Sequence, residues 1–203
     1  MDNVFVPRRR PKPLRVLDFD LENRPLSYWY DGMTTAEITA IGWSWIGAEE
    51  VNVLMLQRSG TYHDDDGQWY HAKDALALFR DILAQADILT GHYIRKHDLP
   101  ILNGALLEHG LPQLRPILTQ DTHAGLAKRK DLSVSQENLA AMLGLPEPKH
   151  HMTQTEWRKA NRLTAEGITS ARKRVHDDVV QHKALRRALL DRGLLKAPRI
   201  WRP

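Results

Sequence analysis

Residues 14–22 alternate apolar and polar side chains, with Leu17, Phe19 and Leu21 on one face and Asp18, Asp20 and Glu22 on the other. That period of two predicts a strand with three acids along one side. Residues 39–46 and 51–56 are rich in β-branched and other apolar side chains, and the segment 47–50 between them predicts a hairpin. In 75–86, Leu76, Phe79 and Leu83 fall at helical spacing with Leu78 and Ile82 beside them, so a helix should cross over to a short strand at 88–93. A second crossover helix should begin near Asp98, with Pro100 in its first turn and Gly110 at its end. Residues 117–121 predict a fifth strand, after which the pattern turns helical. Ser133 with Gln136, and Thr153 with Glu156, have the spacing of a capping box, and a long last helix should run over about 170–193. A meander of three strands followed by two reached through helices predicts an α/β fold, a mixed five-stranded sheet flanked by helices.

The last helix sorts its acids by angle. At about 100° per residue, Ala171, Val175, Val179, His182, Leu185, Leu189 and Leu190 form one apolar arc; Asp178 falls inside it, and Asp177 on the opposite, solvent side. An acid on a core-facing stripe needs a basic partner or a metal ion. Arg174, one turn earlier, is the local basic partner. Asp20 and Glu22 share a strand face with Cα atoms about 6.5 Å apart. Beneath a covering helix their repulsion calls for a cation, whereas a wet sheet face would also explain them. Asp98 has the residue type and position of a helix N-cap.

The 203-residue chain is long enough for one α/β domain, which divides it into a basic, flexible tail, 1–13, and a single domain, 14–203. The tail carries Arg8, Arg9, Arg10 and Lys12 but no apolar stretch of a secretory signal, and no apolar run approaches the roughly 20 residues that span a bilayer. A cytoplasmic protein without membrane contact is expected. With no cysteine, a metal must be held by carboxylates or imidazoles, which favours hard ions such as Mg²⁺ or Mn²⁺. The net charge of +4 suits an anionic partner such as nucleic acid without singling it out.

Taken in order, these segments resemble the DnaQ-like, or DEDD, 3′ to 5′ exonucleases of the ribonuclease H-like superfamily. Residues 17–23, Leu-Asp-Phe-Asp-Leu-Glu-Asn, look like the first motif, an Asp-x-Glu at the end of the first strand. The segment 90–102, where Gly91-His92 precedes Asp98-Leu99-Pro100, looks like the second. Asp121-Thr122 and a helical segment ending Leu143-Gly144-Leu145 are similar to the family's connection, and 175–189 resembles the third motif, with Asp178-Val179 in place of its Asp-Val. Two features depart from the pattern. Tyr93 stands where Asn is common and His97 where an aromatic is; and the Tyr four residues before the last Asp, or the His five before it, is replaced by Arg174 and Lys173. His176 lies about 160° from Asp178 around the helix. His182, one turn after Asp178, is therefore the better-placed imidazole, with a core contact as its other reading.

The resemblance implies a ribonuclease H-like fold and phosphodiester hydrolysis by two Mg²⁺ or Mn²⁺ ions, held by Asp20, Glu22, Asp98 and Asp178, with His182 as a further catalytic candidate. It implies as substrate the 3′ end of single-stranded nucleic acid, DNA ahead of RNA, and as partner a separate polymerase or replication protein. His92, Tyr93, Lys149, His150, Trp157, Arg158 and Arg174 are the candidates for strand contact, with His151 and Lys159 beside them. A base stacked on Trp157 would contribute about 1–3 kcal/mol; anchoring its own helix is that residue's other reading. Two alternatives stand beside the exonuclease: a nucleic-acid-binding member of the fold with little catalysis, and an endonuclease or resolvase on the same fold.

Overall fold

The computed structural model describes residues 12–26, 35–145 and 151–203. In chain order the elements are β1 (Val16–Leu26), β2 (Thr35–Trp45), β3 (Asn52–Leu56), β4 (Thr61–His63), β5 (Trp69–His71), α1 (Ala72–Leu83), β6 (Ile88–Gly91) and α2 (Asp98–Glu108). There follow β7 (Ile117–Asp121), α3 (Thr122–Leu126), α4 (Gln136–Met142), α5 (Gln154–Asn161), α6 (Ala165–Asp191) and β8 (Arg199–Trp201). The strands form one sheet in the order β5-β4-β3-β2-β1-β6-β7-β8. β1 pairs antiparallel with β2 and parallel with β6, so the strand of the three acids lies at the centre, where the meander meets the crossover half.

The two sides of the sheet are packed by different helices because β1 and β2 alternate. Leu17, Phe19 and Leu21 of β1 join Ile41 and Trp43 of β2 in a core closed by Leu76, Phe79 and Leu83 of α1 and Leu99, Leu102 and Leu106 of α2. Phe79 meets Phe19 edge-on at 5.8 Å between ring centroids. On the other side Ala40 of β2, with Val53 and Met55 of β3, packs against Ala171 and Val175 of α6. Small residues let α6 approach the sheet here: a Cβ on Gly42 would lie 3.0 Å from a Val175 methyl and 3.1 Å from its carbonyl oxygen. Gly42 is paired with Asp20 in the sheet, so this contact sets the height of α6 above the acidic face of β1. The architecture is the expected mixed α/β one, a ribonuclease H-like sheet with helices on both faces.

The five-stranded expectation is corrected to eight strands among the described residues. The additional strands, β4, β5 and β8, have three residues each, too few for an alternation to register in the sequence. The capping box expected at Thr153 and Glu156 is present with both bonds. The one expected at Ser133 is displaced: Ser135 is the N-cap of α4 and accepts from Asn138 N. α6 starts earlier than 170, capped by Thr164 through Gly167 N. Its apolar arc is buried from Ala171 to Leu189, but Leu190 is 49% exposed as the helix leaves the sheet. Asp177, expected in solvent, is mostly covered, with Lys173 Nζ at 2.6 Å.

Candidate functional site

β1 and α6 bring three acids together from residues far apart in the chain. Oxygen atoms of Asp20, Glu22 and Asp178 lie within 4.8 Å of one another. The β1 ladder shifts register between Glu22 and Asn23, so the acidic side of the strand ends at this point. A cleft of about 550 Å³ opens over the group, walled also by His92, Tyr93, His97, His123 and the N-terminal segment of α4. Gln136 ties α4 to α6 by donating from Nε2 to the backbone oxygen of Asp178 at 3.0 Å.

Arg174 enters the same group. Its Nε is 2.7 Å from Asp178 Oδ2 and 3.5 Å from Glu22 Oε1. The residue that replaces the resembled motif's Tyr therefore offsets part of the acids' repulsion. Carboxylate oxygens this close fit a hard divalent cation, whose ligands stand at about 2.0–2.6 Å. The donor set contains no sulfur and suits Mg²⁺ or Mn²⁺.

Asp98 stands behind this group. It is the first residue of α2, with His97 in the N-cap place and no side-chain cap bond, so the N-cap reading is replaced. Its carboxylate reaches across to β1, where Leu21 N donates to Oδ1 at 3.0 Å. Burial pushes its pKa up to about 7; bonds from the Leu21 and Asp98 backbone N–H groups oppose this, and the charges of Asp121 and Asp178 add to it. Asp121 clamps the turn before α2: Tyr93 N donates to its Oδ1 at 3.1 Å and Arg95 N to its Oδ2 at 3.0 Å. Tyr93 is held there at φ +71°, a left-handed conformation unfavourable for an aromatic residue, with its ring edge-on to His123 at 4.5 Å.

Farther down the acidic face, Asp18 is fully buried. Its Oδ2 lies 2.7 Å from His182 Nδ1, His182 Nε2 lies 3.0 Å from Thr122 Oγ1, and Thr122 Oγ1 lies 2.9 Å from His92 Nδ1. Burial pushes the Asp18 carboxyl above the usual carboxylate range, and His182, then Arg186 and Lys183, pull against that.

Of the residues singled out from the sequence, Asp20, Glu22, Asp178, His92, Tyr93 and Arg174 meet at the cleft. Asp98 and His182 lie beneath it, both buried. Trp157 and Arg158 are on α5 and are not among the described residues that wall the cleft. Lys149 and His150 fall outside the described residues. The sequence alone marks no site role for Asp18, Thr122 or His123, and Gln136 stands in it only as the second residue of a capping-box spacing. Strand parity marks Asp18, and Asp121-Thr122 is visible as a pair, but their partners are 164 and 60 residues away.

No protein-family model matches this chain, and no curated protein does. Solved structures do. Among them is the family B DNA polymerase from the hyperthermophilic archaeon Pyrobaculum calidifontis, at 15% identity and a TM-score of 0.67 over 93% of this chain. The match takes in 26% of the polymerase chain, so this protein corresponds to about a quarter of that length. At this identity the likeness is one of fold alone.

Proposed function

We propose that the protein is a divalent-metal-dependent nuclease that removes nucleotides from the 3′ end of single-stranded nucleic acid, DNA ahead of RNA. The observation that carries this reading is the meeting of Asp20, Glu22 and Asp178 oxygens within 4.8 Å beneath an open cleft. The fold shared with a DNA polymerase supports nucleic acid as the substrate class and a polymerase as a partner. Asp20, Glu22 and Asp178 would hold an ion; the second, implied by the resemblance, would draw on Asp98. Bound Mg²⁺ or Mn²⁺ supplies an acidified water and neutralises charge on the phosphodiester during in-line attack.

The chain's own residues do the rest. Arg174 limits the repulsion between Glu22 and Asp178 and offers a guanidinium to a phosphate. Tyr93 and His123 present ring surfaces at the cleft on which an unpaired base can stack. A second reading, a binding module with little hydrolysis, is favoured by one observation: Arg174 already places a cation against two of the three acids.

The deciding experiment incubates 5′-labelled DNA and RNA single strands with Mn²⁺, beside a chelator control and the Asp178→Ala variant. A ladder shortening stepwise from the 3′ end, faster on DNA and absent in both controls, is expected. Internal cuts at the earliest times would replace the exonuclease by an endonuclease, and a shifted band that never shortens would leave the binding module.

A further inference from the structure

A second hollow, of about 490 Å³, adjoins the cleft where β7, α3 and the chain leading into β8 meet, and its walls are basic. Arg95, Lys128, Arg129, Lys196 and Arg199 line it, against one acid, Asp121. Two of the five cations are committed within the protein. Arg129 pairs with Asp131, and the Arg95 guanidinium donates to Thr119 Oγ1 and to the backbone oxygens of Arg199 and Ile200, the last two at 3.0 and 3.1 Å. Asp121 is occupied by the backbone N–H groups of Tyr93, Arg95 and Ala124. Lys128, Lys196 and Arg199 are exposed, and none of the three has an ion-pair partner among the described residues.

Polar groups behind the hollow hold these like charges together. Gln120, 9% exposed, donates from Nε2 to the Lys196 backbone oxygen at 2.8 Å, and its Oε1 accepts from Arg186 of α6 at 2.8 Å. With the bonds from Arg95, this pins the chain at 196 and 199 and brings Lys196 and Arg199 to the hollow that Lys128 also lines. Cations gathered in this way repel one another, and a polyanion relieves that repulsion. The hollow also continues the cleft. Tyr93 walls the cleft and Arg95 the hollow, and the Asp121 carboxylate accepts from the backbone N–H of both; His123 and Ala124, neighbours in α3, divide in the same way. α3 is about 7.5 Å long at 1.5 Å per residue, and Lys128 stands two residues past its end.

We propose that this hollow binds backbone phosphates of the single strand on the 5′ side of the linkage being cut, as the strand leaves the cleft across Tyr93 and His123. The proposal rests on the nuclease reading above and deepens it. A cleft walled by Asp20, Glu22 and Asp178 is poorly suited to attract a polyanion, so the attraction must come from beside it. The acids take the 3′ end, and Lys128, Lys196 and Arg199 hold the phosphodiesters that follow. Long, exposed cationic side chains contact phosphates without reading bases, so the hollow adds affinity for length of strand and none for sequence.

The test uses a triple variant, Lys128→Gln with Lys196→Gln and Arg199→Gln, which changes exposed side chains and keeps the backbone bonds behind them. Binding of a fluorescent polythymidylate strand is followed by anisotropy in chelator, over a range of salt. Each cation that neutralises one phosphate of a single strand contributes about 0.7 to the slope of log affinity against log salt, so the slope should fall by roughly 2 and the low-salt Kd should rise at least about tenfold. With Mn²⁺, KM on polythymidylate should rise by a similar factor at unchanged kcat, while a thymidine dinucleotide, which ends within the cleft, should be cut as by the wild type. A control triple, Arg58→Gln with Lys73→Gln and Arg115→Gln, removes the same charge from exposed positions that line neither the cleft nor the hollow, and should keep the wild-type slope. A wild-type slope in the first triple would overturn the proposal, as would an equal loss in the control triple or on the dinucleotide. A wild type whose binding depends on the hollow but which cuts nothing would overturn the nuclease reading and leave the hollow as the strand site of a binding module; a wild type that cuts while the first triple binds as tightly as it does would overturn the hollow alone.

Discussion

Asp18 and Asp20 are two residues apart on one face of one strand, yet they have opposite surroundings. Asp18 is sealed in the core against His182. Asp20 lines the cleft with Glu22 and Asp178. The strand sets the direction in which both point; α6 decides how much water each retains. Where α6 lies over β1 with His182 beneath it, an acid must find a protein partner. Nearer the cleft, three acids sit together at its wall with the Arg174 guanidinium against two of them. The comparison separates a carboxylate that belongs to the architecture from those available for chemistry, a distinction that strand parity cannot make.

Alanine substitutions should break the comparison in opposite ways. Asp20→Ala is expected to lower metal-dependent cleavage by about a thousandfold or more, since it removes a metal ligand and not just one hydrogen bond. Its thermal midpoint in chelator should hold or rise, because one of three crowded acids has gone. Asp18→Ala should do the reverse to stability. It leaves His182 buried without its carboxylate and should cost about 3–5 kcal/mol in urea unfolding. If Asp20→Ala unfolds as readily as Asp18→Ala, the division between the two acids is wrong.

Asp98 lies between these extremes, buried like Asp18 but close to the charges of the site, and it gives the next largest effect. Its folded pKa, about 7, stands above the unfolded carboxyl value of about 3.9. The folded state thus holds the proton more tightly. Stability in chelator should be greatest below the unfolded value and fall as pH rises through about 7, flattening beyond it. Asp18 is shifted the same way and adds to the slope. Asp98→Asn keeps an acceptor for Leu21 N and should remove the part of the fall that ends near pH 7. A slope identical to wild type in that variant would mean that Asp98 is not the group that titrates.

The features legible in the sequence are those written in local periodicity. The alternation of β1, the meander, the choice of Asp178 over Asp177 and the box at Thr153 and Glu156 each depend on residues within one or two turns or strand repeats. What could not be read depends on contacts across the fold. Three-residue strands have no period of their own, and β8 pairs with β7 only because the chain after α6 returns to that edge. Asp98 has the type and place of a cap, but the group that claims it is a backbone N–H on β1. His182 looks alike from its own helix whether it faces a cleft or a buried acid. Arg174 is the intermediate case: its spacing to Asp178 is legible, its reach to Glu22 is not.

That reach supplies the smallest of the expected effects and the finest test of the cleft. A guanidinium between Glu22 and Asp178 competes with an incoming cation for the same oxygens and repels it. Removing one unit charge several ångströms from the ion is worth on the order of 1–2 kcal/mol at the effective dielectric of a half-exposed site. Arg174→Ala should therefore tighten Mn²⁺ binding by roughly tenfold, read by calorimetry without substrate. If hydrolysis also falls in this variant, the same arginine holds the phosphate, and the two measurements separate its roles. Weaker Mn²⁺ binding would show instead that Arg174 orients Glu22 and Asp178 as ligands, and that the order of the acids around the ion depends on it.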